Sequence, residues 1–280
     1  MIKITFKMTR QSENKSLGSL VDKMGTKNLD QIKEYSLLNR TDTKYILNSY
    51  QAINLFREIK NEYFVLEVNS EKIQSYESYY FDTNEYLFYN QHHNRKNNRS
   101  KVRFRKYIGS DLIFLEIKTK SKGRTKKSRT RVNDLHTSLT KNHYEFVRKN
   151  LNNIGSLVNS QQNSFNRITL LGKKKKERIT IDFNVEFKNN KRTVPLSDII
   201  ICEVKQEKID RSSEIIKALK ANKVYPFRLS KYCIGSILLD NKIKHNRFKK
   251  KLLKINKLQK TNYELNWYTS KYRIFRNGSI

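Results

Sequence analysis

Residues 99–107 read RSKVRFRKY. Lys101, Arg103 and Arg105 alternate with Val102 and Phe104. Successive side chains of a β-strand point to opposite faces, so the three cations share one face and the two apolar residues share the other. Gly109-Ser110-Asp111 follows as a turn signal, and LIFLEIKTK (112–120) comes next. The spacing predicts a β-hairpin. These cations face either water or something anionic that the protein encloses.

The same phase recurs along the chain. Glu116, Lys118 and Lys120 oppose Leu115 and Ile117. Lys127, Arg129 and Arg131 are in phase in KKSRTRV (126–132). Arg178, Thr180 and Asp182 oppose Ile179, Ile181 and Phe183, and Glu203, Lys205 and Glu207 are in phase in CEVKQE. Strand after strand has one apolar face and one face dense in Arg, Lys and Glu. An open sheet with its apolar face under helices satisfies this pattern. So does a barrel with the charges inside and the helices outside. On pattern alone the half-solvated open sheet is favoured, because it is the commoner outcome for antiparallel strands.

Composition bears on the choice. The chain has 280 residues, 59 Lys+Arg against 26 Asp+Glu, and a formal charge of +33. Such an imbalance repels itself unless an anion compensates it, so the partner is polyanionic: nucleic acid, an acidic membrane surface, or a phosphate-rich molecule. Part of the lysine excess accompanies a general richness in Lys, Asn and Ile and is surface. The patterned arginines are more telling, because a planar guanidinium fork suits phosphate. Cys202 and Cys233 stand in no metal-ligand spacing, and two cysteines make no disulfide framework. No stretch reaches the ~20 apolar residues of a membrane span, and no apolar N-terminal run resembles a secretion signal. A cytoplasmic setting is expected, with association at the inner face of a membrane through a partner left open.

Three units are expected: a partly helical N-terminal segment (1–29), a main domain (30–240) and a basic tail (241–280). Residues 17–38 read as one or two short helices after a basic, poorly ordered start. TKYILN (43–48) and SYESYYFDT (75–83) read as strands. SYQAINLFREIKN (49–61) reads as an amphipathic helix capped by Ser49. NEYLFYNQHHNR (84–95) is a helix or loop, and residues 134–158 look helical. Residues 165–187 read as a second hairpin with GKKKKE at a solvated tip, lacking Walker A spacing. DIIICEVKQE (198–207) is a strand, and two helices follow, at 211–222 and from Ser230. The tail segment RFKKKLLKINKL (247–258) is helical or loose. About eight mostly antiparallel strands with intervening helices give an α+β class. Tyr79, Tyr80 and Phe81 read as core. The pair His92-His93 reads as loop polarity rather than a metal site, and Glu116 as either a metal ligand or a salt-bridge partner. Asp182 is left undecided.

The ordered series NRTDTKYIL (39–47), YYFDT (79–83), KVRFRKY (101–107), LEIKTK (115–120), KKSR (126–129), NRITLL (166–171), ERITID (177–182), CEVK (202–205) and RLSKY (228–232) resembles the VTC family. These are the polyphosphate polymerase domains within the triphosphate tunnel metalloenzymes, a CYTH-like superfamily. The resemblance covers roughly residues 30–240 and rests on the order and spacing of the segments together. It implies an antiparallel β-barrel tunnel with a basic lumen and helices packed outside.

By the same resemblance, Lys44 matches the lysine near the transferred phosphate, Arg103 and Arg105 the Arg-x-Arg pair, and Lys118 the lysine of the next strand. Arg178 and Lys231 complete the implied catalytic set. Lys101, Lys127, Arg129, Arg167 and Ser230 are the implied phosphate-binding residues. Glu203 matches the metal-binding glutamate, with Glu116 a second candidate. The implied reaction moves the γ-phosphoryl group of ATP onto a growing inorganic polyphosphate chain, assisted by Mn²⁺ or Mg²⁺. Hydrolytic relatives carry Glu-x-Glu-x-Lys in the first strand, whereas here the segment is Arg40-Thr41-Asp42-Thr43-Lys44. The arginine weakens an acid-rich metal site and favours the polymerase branch. The alternatives are a tripolyphosphatase, a non-catalytic polyphosphate-binding tunnel and, on charge alone, a nucleic-acid binder. No recognised nucleic-acid motif is present, so no specific nucleic-acid partner is expected. A membrane-protein partner is compatible with the family.

Overall fold

The computed structural model describes residues 17–35 and 40–259. The expected basic start, residues 36–39 and the end of the tail lie outside the described residues. A short strand β1 (Thr26–Lys27) precedes a 3₁₀ turn (Gln31–Tyr35). Then come β2 (Thr41–Leu47), helix α1 (Ser49–Ile59), β3 (Tyr63–Leu66), β4 (Gln74–Asp82), α2 (Leu87–His93), β5 (Arg99–Ile108), β6 (Leu112–Ser121) and β7 (Arg124–Val132). The second half runs α3 (Lys141–Asn150), β8 (Val158–Gly172), β9 (Arg178–Lys188), β10 (Thr193–Pro195), β11 (Ile200–Gln206), α4 (Glu214–Ala221), α5 (Lys231–Leu239) and α6 (Lys249–Leu258).

Eight strands form one antiparallel path, β2-β11-β9-β8-β4-β5-β6-β7. The sheet curls into a half-barrel with the helices outside. The α+β class is as expected, and the curled sheet with helices outside replaces the open sheet that pattern alone favours. The apolar faces are backed by two clusters. In one, Ile168, Leu170, Ile179, Ile181, Cys202 and Val204 pack with Ala52, Leu55, Phe56 and Ile59 of α1 and with Ile215 and Leu219 of α4. In the other, Val102, Phe104, Leu115 and Ile117 share a cluster with Phe88 and Tyr89 of α2, Val147 of α3 and Ile234 and Ile237 of α5. Val102, Phe104, Leu115 and Ile117 are each at most 1% exposed. Their phase leaves the cations between them no choice but the other face.

Several local readings change. Asn48, not Ser49, caps α1: its side chain accepts from Gln51 N at 2.9 Å, and Gln51 Oε1 accepts from Asn48 N at 3.2 Å. This reciprocal box satisfies two orphan donors. Within 134–158 only Lys141–Asn150 is helical. Thr140 caps its start, Leu151 turns extended at its end and Asn153 sits at φ 52°. Residues 26–27 form a strand on β3 where a helix is expected. Phe248, Leu252 and Ile255 of the basic tail are buried in the second cluster. The GKKKK tip is largely exposed, as expected, and two of its lysines are paired: Lys175 with Asp210 at 2.5 Å and Lys174 with Glu62 at 3.0 Å. Among the described residues no helix is long and apolar enough to cross a membrane.

α5 is seated on the sheet through Gly235. A Cβ there would lie 2.5 Å from the Phe187 ring and would strike Gln161 Oε1. Gln161 has little freedom to retreat, because its Nε2 donates to Tyr232 O at 2.6 Å and Ser236 Oγ at 2.7 Å. Alanine is the better helix former by about 1 kcal/mol. Overpacking should outweigh that gain, and Gly235→Ala is expected to lower unfolding stability by about 1–3 kcal/mol in urea titration. A neutral or stabilising result would mean that α5 sits more loosely than this packing requires.

Candidate functional site

The register aligns the cations across strands. Lys101 of β5 stands opposite Lys118 of β6, which stands opposite Lys127 of β7. One pleat on, Arg103 faces Glu116, and Glu116 faces Arg129. Across the other half, Lys44 faces Glu203, and Glu203 faces Thr180. Arg167 faces Asp182, and Lys205 faces Arg178. The curl brings both halves around one cavity of about 590 Å³.

All thirteen residues singled out from the sequence line this cavity. They are Lys44, Lys101, Arg103, Arg105, Glu116, Lys118, Lys127, Arg129, Arg167, Arg178, Glu203, Ser230 and Lys231. The lining holds twelve Lys and Arg side chains against four carboxylates.

Each carboxylate is taken. Arg103 donates twice to Glu116 Oε2, from Nε at 3.0 Å and Nη2 at 2.7 Å, and Lys127 Nζ lies 2.5 Å from Oε1. Arg167 grips Asp182 through Nε at 2.5 Å and Nη2 at 2.8 Å, and Lys231 donates to Asp182 as well. Glu203 lies 2.7 Å from Lys205 and 3.3 Å from Lys44. Asp42 accepts from Arg40 at 3.0 Å. Lys101, Arg105, Lys118, Arg129 and Arg178 form no ion pair among the described residues. Lys101 instead donates to Ser230 Oγ at 3.0 Å. The Arg105 guanidinium lies 5.6 Å from the Tyr76 ring centroid, and that of Arg129 lies 4.8 Å from Phe114.

Burial and the neighbouring charges together shift the titrating groups. Burial, then Arg103 and Arg105, hold the Lys118 ammonium well below the usual lysine range. Burial brings Lys231 down to about 8, overriding the pull of Asp182. Burial alone would raise the Tyr80 phenol. Arg103, Arg105 and Lys101 outweigh it, and the phenol comes down to about 8. Burial opposes ionisation of Glu203 too, yet Lys44 and Lys205 keep its carboxyl well below the usual range.

Several site residues escape the sequence reading. Tyr80 lines the cavity instead of serving only as core, and its hydroxyl accepts from Arg103 Nη1 at 2.9 Å. It also stacks on Tyr232, ring centroids 5.1 Å apart. Lys205, buried at 6% exposure, binds Glu203 and donates to Thr180 Oγ1 at 3.2 Å. Its phase with Glu203 was the available signal. Asp182 is the shared anchor of Arg167 and Lys231. His92 and His93 belong to α2, with His93 Nε2 2.7 Å from Asn246 Oδ1.

A family model for the VTC domain matches residues 39–240. No protein with a curated description matches the chain. Similar solved structures include a Vibrio parahaemolyticus protein described as an adenylate cyclase candidate, at 12% identity and TM-score 0.41, covering 70% of this chain and 97% of that one. A Hippeastrum adenylyl cyclase candidate described as having a dominant triphosphatase activity is 13% identical, with TM-score 0.45 over 72% of this chain and 96% of its own. A Bacillus halodurans protein, also described as an adenylate cyclase candidate, is 10% identical, with TM-score 0.41 over 69% and 94%.

The shifts make stability depend on pH. For Lys118, Lys231 and Tyr80 the folded value lies below the unfolded one. The unfolded chain therefore binds more protons in the interval between the two values, and stability rises with pH there. Cys202 and Cys233, raised by burial, act in the opposite sense once unfolded thiols ionise. The melting temperature of ligand-free protein is expected to rise from about pH 7 to about pH 8.5, and saturating tripolyphosphate to flatten the rise by holding the lysines protonated. A ligand-free melting temperature that only falls over this range would refute the lowered values of Lys118, Lys231 and Tyr80.

Proposed function

The chain belongs to the VTC-domain family, whose model spans residues 39–240, and from that premise we propose that it is a polyphosphate polymerase. It moves the γ-phosphoryl group of ATP onto the end of a polyphosphate chain held in the cavity. One observation carries the reading. Among the described residues, five cavity cations make no ion pair while every cavity carboxylate is already engaged. The vacant charge calls for an anion with many oxygens.

Phosphoryl transfer is mostly positioning and neutralisation of charge. Arg103 and Arg167 are preset: carboxylates fix their planes, leaving further N–H groups for non-bridging oxygens. Arg105 and Arg178 bring forks with no competing ion pair among the described residues, and Lys101, Lys118 and Lys44 bring point charges. Lys127, Arg129 and Ser230 extend the phosphate contacts. Lys231, shared with Asp182, is released to the transferred group when oxygens compete for it. The attacking group is a terminal phosphate oxygen, anionic at neutral pH, so no general base is required. A new P–O bond forms at the γ-phosphorus as its bond to the β–γ bridging oxygen breaks, and ADP leaves.

A divalent ion is part of the family's implied chemistry. Among the described residues no group of three or more His, Cys, Asp or Glu side chains is placed to hold a metal. Mg²⁺ and Mn²⁺ suit a different arrangement, with one or two carboxylates and the remaining ligands from phosphate and water. Glu203 fits that role, its side chain 18% exposed, whereas Glu116 is fully buried between Arg103 and Lys127. Glu203 would hold the ion. Bound there, the ion would neutralise phosphate oxygens as charge develops.

The test is incubation of the protein with ATP and Mn²⁺ or Mg²⁺, with and without a short polyphosphate primer. Products are resolved on a gel stained for polyphosphate. Long chains are expected, reduced at least ~100-fold in Arg103→Ala and Glu203→Ala, the scale of losing one preorganised charge stabiliser. Phosphate release without chains would replace the polymerase by a tripolyphosphatase. Tight polyphosphate binding without turnover would leave a binding protein.

A further inference from the structure

A second set of cations collects outside the cavity, where β5 begins and β6 ends. Arg99 stands opposite Lys120, two residues beyond the facing pair Lys101 and Lys118. α2 is fastened to this edge, for Gln91 Oε1 accepts from Ser100 N at 3.2 Å. The same helix is fastened to the chain leading into α6. Tyr89 donates to Lys244 O at 2.8 Å, His93 meets Asn246, and the Phe248 and His93 rings lie 5.9 Å apart. Lys251 lies over Phe248 at 5.2 Å.

The cluster continues from the cavity rather than standing apart. Arg228 adjoins Leu229 and Ser230, which accept from Lys44 at 3.3 Å and Lys101 at 3.0 Å. Arg228 and Arg95 are the cations that act on Lys251 and, with burial, lower its pKa. His92 lies at the junction. Burial, then Lys101, Arg99, Lys120 and Lys251, push its imidazole down to about 2, so it stays neutral. Arg95, Arg99, Lys120, Arg228 and Lys251 form no ion pair among the described residues. Lysines scattered on a surface repel weakly and need no partner. Here several cations crowd a half-buried histidine at one end of a cavity that is itself short of anions.

We propose that Arg95, Arg99, Lys120, Arg228 and Lys251 form a track that holds a condensed-phosphate chain where it leaves the cavity. The inference rests on the polyphosphate reading of the cavity and adds a direction: the chain emerges at the Arg99 and Lys120 end, over α2 and α6. A short phosphate oligomer fills the cavity alone, while a long chain engages both.

The experiment compares binding of inorganic tripolyphosphate and long-chain polyphosphate to wild type, to the triple variant Arg95→Glu/Arg228→Glu/Lys251→Glu, to Lys251→Ala and to Arg103→Ala, over a range of salt. In the triple variant, affinity for the long chain is expected to fall at least ~10-fold at low salt, with a shallower salt dependence. Tripolyphosphate affinity and the melting temperature should stay at wild-type values. Lys251→Ala should show the same selectivity in smaller measure. Equal losses for both ligands, or none for either, overturn the track. So does a triple variant that keeps the long chain but loses anionic vesicles or RNA. Arg103→Ala separates the two readings: if it binds tripolyphosphate like wild type, the cavity assignment fails whatever the triple variant does.

Discussion

Three lysines directly opposite one another on neighbouring strands are the constraint from which the rest of the molecule follows. Like charges at facing positions destabilise a sheet. Lys101, Lys118 and Lys127 occupy such positions on β5, β6 and β7. The sheet tolerates them because its opposite face is dry: Val102, Phe104, Leu115 and Ile117 are sealed under helices. Apolar burial on one side therefore sustains electrostatic strain on the other. A flat sheet would let water screen that charge. A curled sheet encloses it, and the ammonium groups of Lys118 and Lys231 are lowered there, first by burial and then by neighbouring arginines.

The carboxylates serve this arrangement mainly as fasteners. Glu116 and Asp182 each bind an arginine through two N–H groups and a lysine besides. Removing one partner of such a buried pair is costly, on the order of 3–5 kcal/mol, because the other charge is stranded. The guanidinium planes are thus fixed before any ligand arrives. Tyr80 adds a third hold on Arg103 and stacks on Tyr232. Tyr232 in turn donates to Asp82, which also accepts from Phe88 N at 2.8 Å and Tyr89 N at 2.9 Å. A continuous set of contacts therefore runs from a cavity arginine to the start of α2. Arg103 is positioned by the helical layer as well as by its own sheet.

The strands that carry the site were legible because their period is two and their faces differ in kind. Lys101 through Arg105 and Arg178 through Phe183 announce both secondary structure and side-chain direction. What was illegible depends on partners distant in sequence. Tyr80 reads as core because it is aromatic, and only its position opposite Arg103 makes it polar in function. Lys205 was visible in phase with Glu203, but two in-phase charges do not say which one faces the cavity's centre. β3 and β10 have four and three residues, too few for a pattern. Pattern alone also weighed toward a solvated sheet, because local alternation carries no information about curl. The ordered segments of the family supplied it.

Stability and binding pull against each other in such a site. An empty cavity sheds charge to survive. Lys231 and Lys118 move toward the neutral amine, and Tyr80 moves toward the phenolate. A polyanion bound there as proposed would oppose each of these shifts, since its oxygens favour the ammonium and disfavour the phenolate. Such binding would be linked to proton uptake by the protein. On the proposed function the protons would come to rest on Lys118 and Lys231, and the positive charge would develop fully only with the polyanion in place. The fold does not need to carry all of that charge in the empty state. This is how a sheet with facing lysines remains a stable structure.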